Sequence, residues 1–218
     1  QMCIRDSVNV EFPSGINFGW YAFSECPNLE TAVVGNDDSP RYLFYKCPVL
    51  KEITFTSCDM VGYYALAECP LLEKVNLGVA TEIDSYAFLN GTSLKEVNFN
   101  NKLTIKGASF KGCTSLEYFD FSKVNRMSSR AFMNCTSLNN VDLSNIKAIP
   151  QDCFANCTSL DSIDLANLTH INDRAFAGCT SFKEIRINHD MVIRDEAFSG
   201  CTGLTDITIP ASVTTVSY

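Results

Sequence analysis

Apolar positions return every 22 residues along almost the whole chain. Aligned on the aromatic of a recurring Ala-Phe pair, the units are anchored by Phe23, Phe44, Leu66, Phe88, Phe110, Phe132, Phe154, Phe176 and Phe198, spaced 21 once and 22 seven times. Three residues after each anchor stands Cys26, Cys47, Cys69, Gly91, Cys113, Cys135, Cys157, Cys179 or Cys201. Three further on comes Leu, or Phe182 in one unit. Two more apolar columns follow, two residues apart, running from Ala32 and Val34 to Ile207 and Ile209. A spacing of two places side chains on one face of an extended segment, so each unit is predicted to contribute one short strand.

A single unit has one apolar face and nothing to bury it against, whereas stacked copies bury a continuous core between neighbours. The period therefore predicts a parallel α/β solenoid of about nine units. Two residues after the anchor, Asn90, Gly112, Asn134, Asn156, Gly178 and Gly200 share one column. These residue types enter the left-handed region at low cost and commonly end helices there. Segments such as 173–178 are accordingly expected to form one short helical or 3-10 turn, held by packing alone.

The unit Ala131, Phe132, Cys135, Leu138, Val141, Leu143 and its copy Ala175, Phe176, Cys179, Phe182, Ile185, Ile187 resemble the BspA-like leucine-rich repeat, written Ala-Phe-x-x-Cys-x-x-Leu-x-x-Ile-x-Ile/Leu. The resemblance spans residues 8–218 and implies a right-handed parallel-strand array. Leu43 and Ser109 at the Ala position, Leu66 for Phe and Gly91 for Cys depart from the pattern, all with small or apolar side chains.

Residues 1–7 break the frame. Back-translated as CAG ATG TGT ATA AGA GAC, Gln1 to Asp6 match the end of a transposase adapter used in sequencing libraries, so 1–7 are expected to be non-native. Residues 8–218 are expected to be a solenoid truncated at both ends, because Ile209, Pro210, Val213 and Val216 lead toward an Ala-Phe that does not follow.

Composition narrows the function classes. A net charge of −8 with no basic stripe argues against nucleic-acid or anionic-membrane partners, and no apolar run approaches membrane-spanning length, so direct membrane insertion is not expected. Eight of the 11 cysteines fall in the one repeat column, which favours a reduced, buried ladder over a disulfide framework. None has the paired spacing of a zinc site. His170 and His189 occupy different repeat positions, no phosphate loop or metalloprotease motif occurs, and neither an enzyme nor a cofactor is expected. The sequons at Asn90, Asn134, Asn156 and Asn167 read as turn residues, Trp20 as a packed aromatic, and 36–40 as a solvated turn.

The outward strand positions remain. One column reads Asn76, Asn98, Asp120, Asp142, Asp164, Arg186, with Tyr118 beside it. These seven residues are the candidate ligand-binding face for a protein or glycan, and Asn and Asp are also calcium-compatible oxygen donors. The frame sets Asp120, Asp142 and Asp164 on adjacent strands about 4.8 Å apart, where mutual repulsion would raise the Asp142 pKa. The resemblance implies an extracellular or cell-surface binding or adhesion module; a structural spacer, or an array attached to a catalytic domain, are the alternatives.

Overall fold

The computed structural model describes residues 6–35, 40–210 and 213, so the frame-breaking segment and the 36–40 turn lie largely outside the described residues. In chain order the strands are β1 (Asn9–Phe12), β2 (Thr31–Val34), β3 (Glu52–Phe55), β4 (Met60–Val61), β5 (Lys74–Asn76), β6 (Glu82–Ile83), β7 (Glu96–Asn98), β8 (Leu103–Ile105), β9 (Val124–Met127), β10 (Ala148–Ile149), β11 (His170–Ile171), β12 (Glu184–Arg186), β13 (Val192–Ile193) and β14 (Asp206–Thr208). All pairings are parallel. Along the predicted strand column, β1-β2-β3-β5-β7 form one sheet and β12-β14 a second, in the register the repeat dictates, as Ala32 beside Ile53 and Ile53 beside Val75.

A second strand per unit was not anticipated. It builds the sheets β4-β6-β8-β9 and β10-β11-β13 around the buried column Val61, Ile83, Ile105, Met127, Ile149, Ile171 and Ile193. These residues also recur every 22, but segments of two to four residues are too short for alternation to reveal a strand. The series divides between β9 and β10 for a covalent reason. Asp84, Lys106, Asn172 and Arg194 each donate an N–H to the preceding coil, at 2.8, 2.9, 3.0 and 2.9 Å. Pro150 holds the equivalent place and has no N–H to give.

The expected helical turn is replaced by overlapping β-turns. In the unit of Phe132, Ala131 N–H bonds Ser128 C=O, Met133 bonds Arg130, and Cys135 bonds Phe132, at 3.3, 3.2 and 3.1 Å. Arg130 (φ 62°) and Asn134 (φ 63°) take the left-handed positions that type II turns require. The Asn/Gly column is thus left-handed as predicted, but the conformation serves a turn and not a helix end. A 3-10 segment occurs at Phe121–Lys123. With this geometry, Arg130, Phe132 and Asn134 all aim their N–H groups at the next coil, reaching the carbonyls of Gln151, Cys153 and Ala155 at 3.0, 2.9 and 2.8 Å. The same three bonds join every successive pair of units from Tyr21 to Ser199.

Beneath this ladder lies the core. The rings of Phe88, Phe110, Phe132, Phe154, Phe176 and Phe198 stack with centroids 5.0, 5.1, 5.7, 5.6 and 5.6 Å apart. The cysteine column is buried and hydrogen-bonded: Cys135 Sγ donates to Phe110 C=O at 3.1 Å, and Cys157 to Phe132 C=O at 3.2 Å. Cys47, Cys69, Cys113, Cys179 and Cys201 repeat the contact. A thiol suits this place because it packs as a small apolar group and still offers a weak donor. Burial pushes the thiols of Cys113 and Cys179 up to about 12 and raises those of Cys135 and Cys157.

Thiolate, the reactive form, is therefore suppressed at these four positions in the folded state, whereas hydrogen bonding with Cys69 lowers the Cys47 thiol, which burial alone shields from reagents. We expect the column cysteines to resist a thiol reagent at pH 8 in native protein and to react promptly in denaturant; rapid native labelling would contradict this packing. A second expectation concerns Gly112 (φ 79°), where an added Cβ would lie 2.4 Å from Asn90 Oδ1, against Gly107, whose Cβ would meet nothing nearer than 3.5 Å. Gly112→Ala should lower stability by about 1–3 kcal/mol, while Gly107→Ala should stay within about 0.5 kcal/mol of the parent, as read by chemical denaturation.

Candidate functional site

The predicted face has two unlike halves. On the five-stranded sheet the outward side chains satisfy one another from coil to coil. Asn76 Nδ2 donates to Thr54 Oγ1 at 3.0 Å, and Asn98 Nδ2 to Asn76 Oδ1 at 2.9 Å. Lys74 Nζ lies between Glu52 and Glu96, 4.0 and 3.6 Å from their carboxylates. Asn98 also donates to Glu96, and this bond first, then Lys74, holds the Glu96 carboxyl below its ordinary value.

The acidic ladder is not on paired strands. The three units carrying Asp120, Asp142 and Asp164 are the ones in which this strand is missing. Each Asp is engaged by its own turn: Asp142 Oδ1 accepts the Ser144 N–H at 2.9 Å, Asp164 Oδ1 accepts the Ala166 N–H at 2.9 Å, and Asp120 accepts from Ser122 and pairs with Lys123 Nζ at 3.2 Å. A side-chain acceptor two residues ahead of an N–H competes with strand pairing. The expected rise in the Asp142 pKa is reversed, since the Ser144 N–H lowers it and repulsion from Asp120 is the weakest influence. Asp120 is likewise lowered, chiefly by Ser122 and then by Lys123.

The loss of the strand opens the surface here. Tyr118, 63% exposed, and Asp120 separate two depressions of about 220 and 180 Å³. Asn98, Lys95 and Lys123 line the first, and Asn140, Ser122 and Asp142 the second. Four predicted residues, Asn98, Tyr118, Asp120 and Asp142, therefore converge, and Asn76 joins them through Asn98. Asp164 lines neither depression, and Arg186 pairs with Glu184 at 2.9 Å on β12. Among the described residues no group of three His, Cys, Asp or Glu side chains is placed to hold a metal ion.

The family pattern described as BspA type leucine rich repeat region, in 6 copies, matches residues 16–139 and 104–218. The chain belongs to this family. A leucine-rich cell surface protein from Faecalibacterium prausnitzii is 18% identical over 92% of this chain and 87% of its own, with a TM-score of 0.44. The pneumococcal vaccine antigen PcpA is 17% identical over 95% and 73%, with a TM-score of 0.46. A leucine-rich repeat protein from Bacteroides ovatus is 17% identical over 94% and 82%, with a TM-score of 0.38. No curated protein sequence matches the chain significantly.

This BspA-type array has a further surface that the sequence reading missed. Trp20, expected to pack inside, is 67% exposed and lies over the Arg41 guanidinium, 5.4 Å from its ring centroid. Beside it Tyr21, Tyr42, Tyr64 and Tyr86 stack at 4.5, 5.2 and 4.8 Å. The tyrosines share a single repeat column, so the same 22-residue frame contained the signal. Farther along that column, buried Asp152 accepts from Arg130 at 3.1 Å and Arg174 at 2.8 Å. His170 and His189 contact neighbouring Thr169 and Asn188 and share no catalytic grouping.

A carboxyl whose folded pKa is lowered adds stability that is present above the unfolded pKa, about 3.9 for Asp, and lost as the pH falls through the folded value. We expect Asp142→Ala to lower stability by roughly 0.5–1 kcal/mol at neutral pH, the difference fading with acidification below pH 4. Asp142→Asn retains an oxygen acceptor for Ser144 N–H and should stay close to the parent. Urea denaturation of both variants across this pH range measures the effect, and a gain in stability from Asp142→Asn would restore the repulsive ladder.

Proposed function

We propose that the chain is a non-catalytic binding or adhesion module of a secreted or cell-surface protein, receiving a protein or glycan ligand on its strand face around Tyr118. The observation that carries this is the exposed Tyr118 ring standing between two depressions whose polar rims are already fixed by hydrogen bonds. Exposed aromatic groups beside preorganised polar groups are the usual anchors of recognition surfaces. The extracellular setting rests on what BspA-type repeats imply for their proteins. Asn98, Asp120 and Asp142 supply orientation, with Asn76 supporting Asn98, while Asp164 and Arg186 extend the face at its far end.

A screen of matrix proteins and neutral and acidic glycans against immobilised protein tests the reading. We expect at least one ligand whose affinity falls about tenfold or more in Tyr118→Ala, with the far-ultraviolet spectrum unchanged. A ligand that binds Tyr118→Ala as tightly as the parent would move the site elsewhere, and a screen without ligands would favour a spacer.

A further inference from the structure

The turn face near the start of the array carries a site of a different kind. Trp20, Arg41 and Tyr63 occupy one column on three successive coils, and the Arg41 guanidinium is sandwiched between the two rings at 5.4 and 5.6 Å from their centroids. With a ring on either side of the guanidinium carbon, the exposed edge of the group carries the N–H donors in a fixed fork. Arg41 is exposed, and among the described residues no carboxylate pairs with it. Other surface cations are drawn to carboxylates, as Lys51 to Glu30 at 2.7 Å and Arg130 and Arg174 to Asp152, or, like Lys111 and Lys147, have no ion pair among the described residues; Arg41 differs in lying between two aromatic rings. Lys46, on the adjoining turn, lies 5.1 Å over the Tyr45 ring and likewise has no carboxylate among the described residues. Glu25 and Glu68 hold the positions equivalent to Lys46 on the adjoining coils, so the cation that this aromatic surface presents is Arg41, exposed on its two rings.

We propose that the Trp20–Arg41–Tyr63 stack is a second ligand site and that it takes an acidic glycan. A sugar carboxylate matches the guanidinium fork by paired hydrogen bonds. The flat C–H face of the same sugar ring covers exposed Trp20 and the half-exposed Tyr21 next to it. The stacked phenols of Tyr42 and Tyr64 add a row of hydroxyls able to donate to or accept from sugar hydroxyls. An acidic peptide side chain would fill the guanidinium edge but leave both aromatic surfaces uncovered, so the combination selects a ring bearing its own anion. This site is separate from the strand face around Tyr118 and does not depend on it.

Trp20 is the only tryptophan in the chain, so its fluorescence reports the site directly. Titration with oligogalacturonate should change Trp20 emission saturably, with affinity falling as salt is raised, whereas neutral maltooligosaccharide should not. Calorimetry should show a loss of about tenfold or more in Arg41→Gln and in Trp20→Ala, and a partial loss in Arg41→Lys, which keeps the charge but not the fork. Thermal melts confirm that the variants fold. No binding of oligogalacturonate, or unchanged affinity in folded Arg41→Gln, would overturn the proposal. Equal affinity for poly-glutamate would overturn the choice of a glycan, and a loss confined to Tyr118→Ala would transfer the ligand to the strand face.

Discussion

The hydrogen-bonded turn ladder is the interaction on which the structure depends. It alone joins every successive pair of coils from Tyr21 onward, while both strand ladders are interrupted. Its three parallel N–H groups per coil exist only because residues two before and two after the aromatic take positive φ. For a residue with a side chain that conformation costs about 1–2 kcal/mol. Asn and Gly reduce the cost on one side of the anchor, yet Tyr42 (φ 59°) and Tyr64 (φ 55°) accept it on the other. What offsets it is the paired backbone, together with the phenyl and thiol columns that the ladder positions beneath it. Phe132 C=O shows the economy of this arrangement, accepting Cys135 N–H within its coil and Cys157 S–H from the next.

With coils already joined there, each strand can be lost locally without breaking the array. Asp142 exchanges strand pairing for the Ser144 N–H, and Pro150 removes a donor from the second ladder, yet Leu143 and Ile149 on those same segments stay buried. The core is thus set by the apolar columns, and regular strand geometry is a separate outcome decided by the residues between them. This separation gives the array its irregular surface. The depressions around Tyr118 adjoin the first unit in which Asp replaces the Thr or Asn of the preceding strands.

The columns Phe, Cys and Leu were legible because a 22-residue period survives any error in naming the local conformation. The left-handed Asn/Gly positions were legible for the same reason. What was not legible is the local competition within a coil. Asn98 and Asp120 occupy equivalent places and differ by one functional group, but the amide bridges between coils whereas the carboxylate turns back to the Ser122 hydroxyl and the Lys123 ammonium of its own coil. Trp20 was misread because its column continues as Arg41 and Tyr63, residues that look unrelated until the coils are superposed and the guanidinium lies between two rings.

Superposition also constrains what an outward column can contain. Each side chain is flanked by its counterparts in the adjoining coils at roughly the strand spacing, so a run of like charges would repel along the whole column. The chain meets this constraint in three ways. Alternation is the first, as in Glu30–Lys51, Glu73–Lys95 and Arg130–Asp152–Arg174. Self-complementary groups are the second, as in the Thr54–Asn76–Asn98 ladder and the stacked tyrosines. Withdrawal is the third: Asp120, Asp142 and Asp164 leave the strand and bond their own turns. Arg41 fits the second pattern by lying between aromatic rings, and with no carboxylate paired to its fork among the described residues it is the column residue best suited to receive a charge from outside.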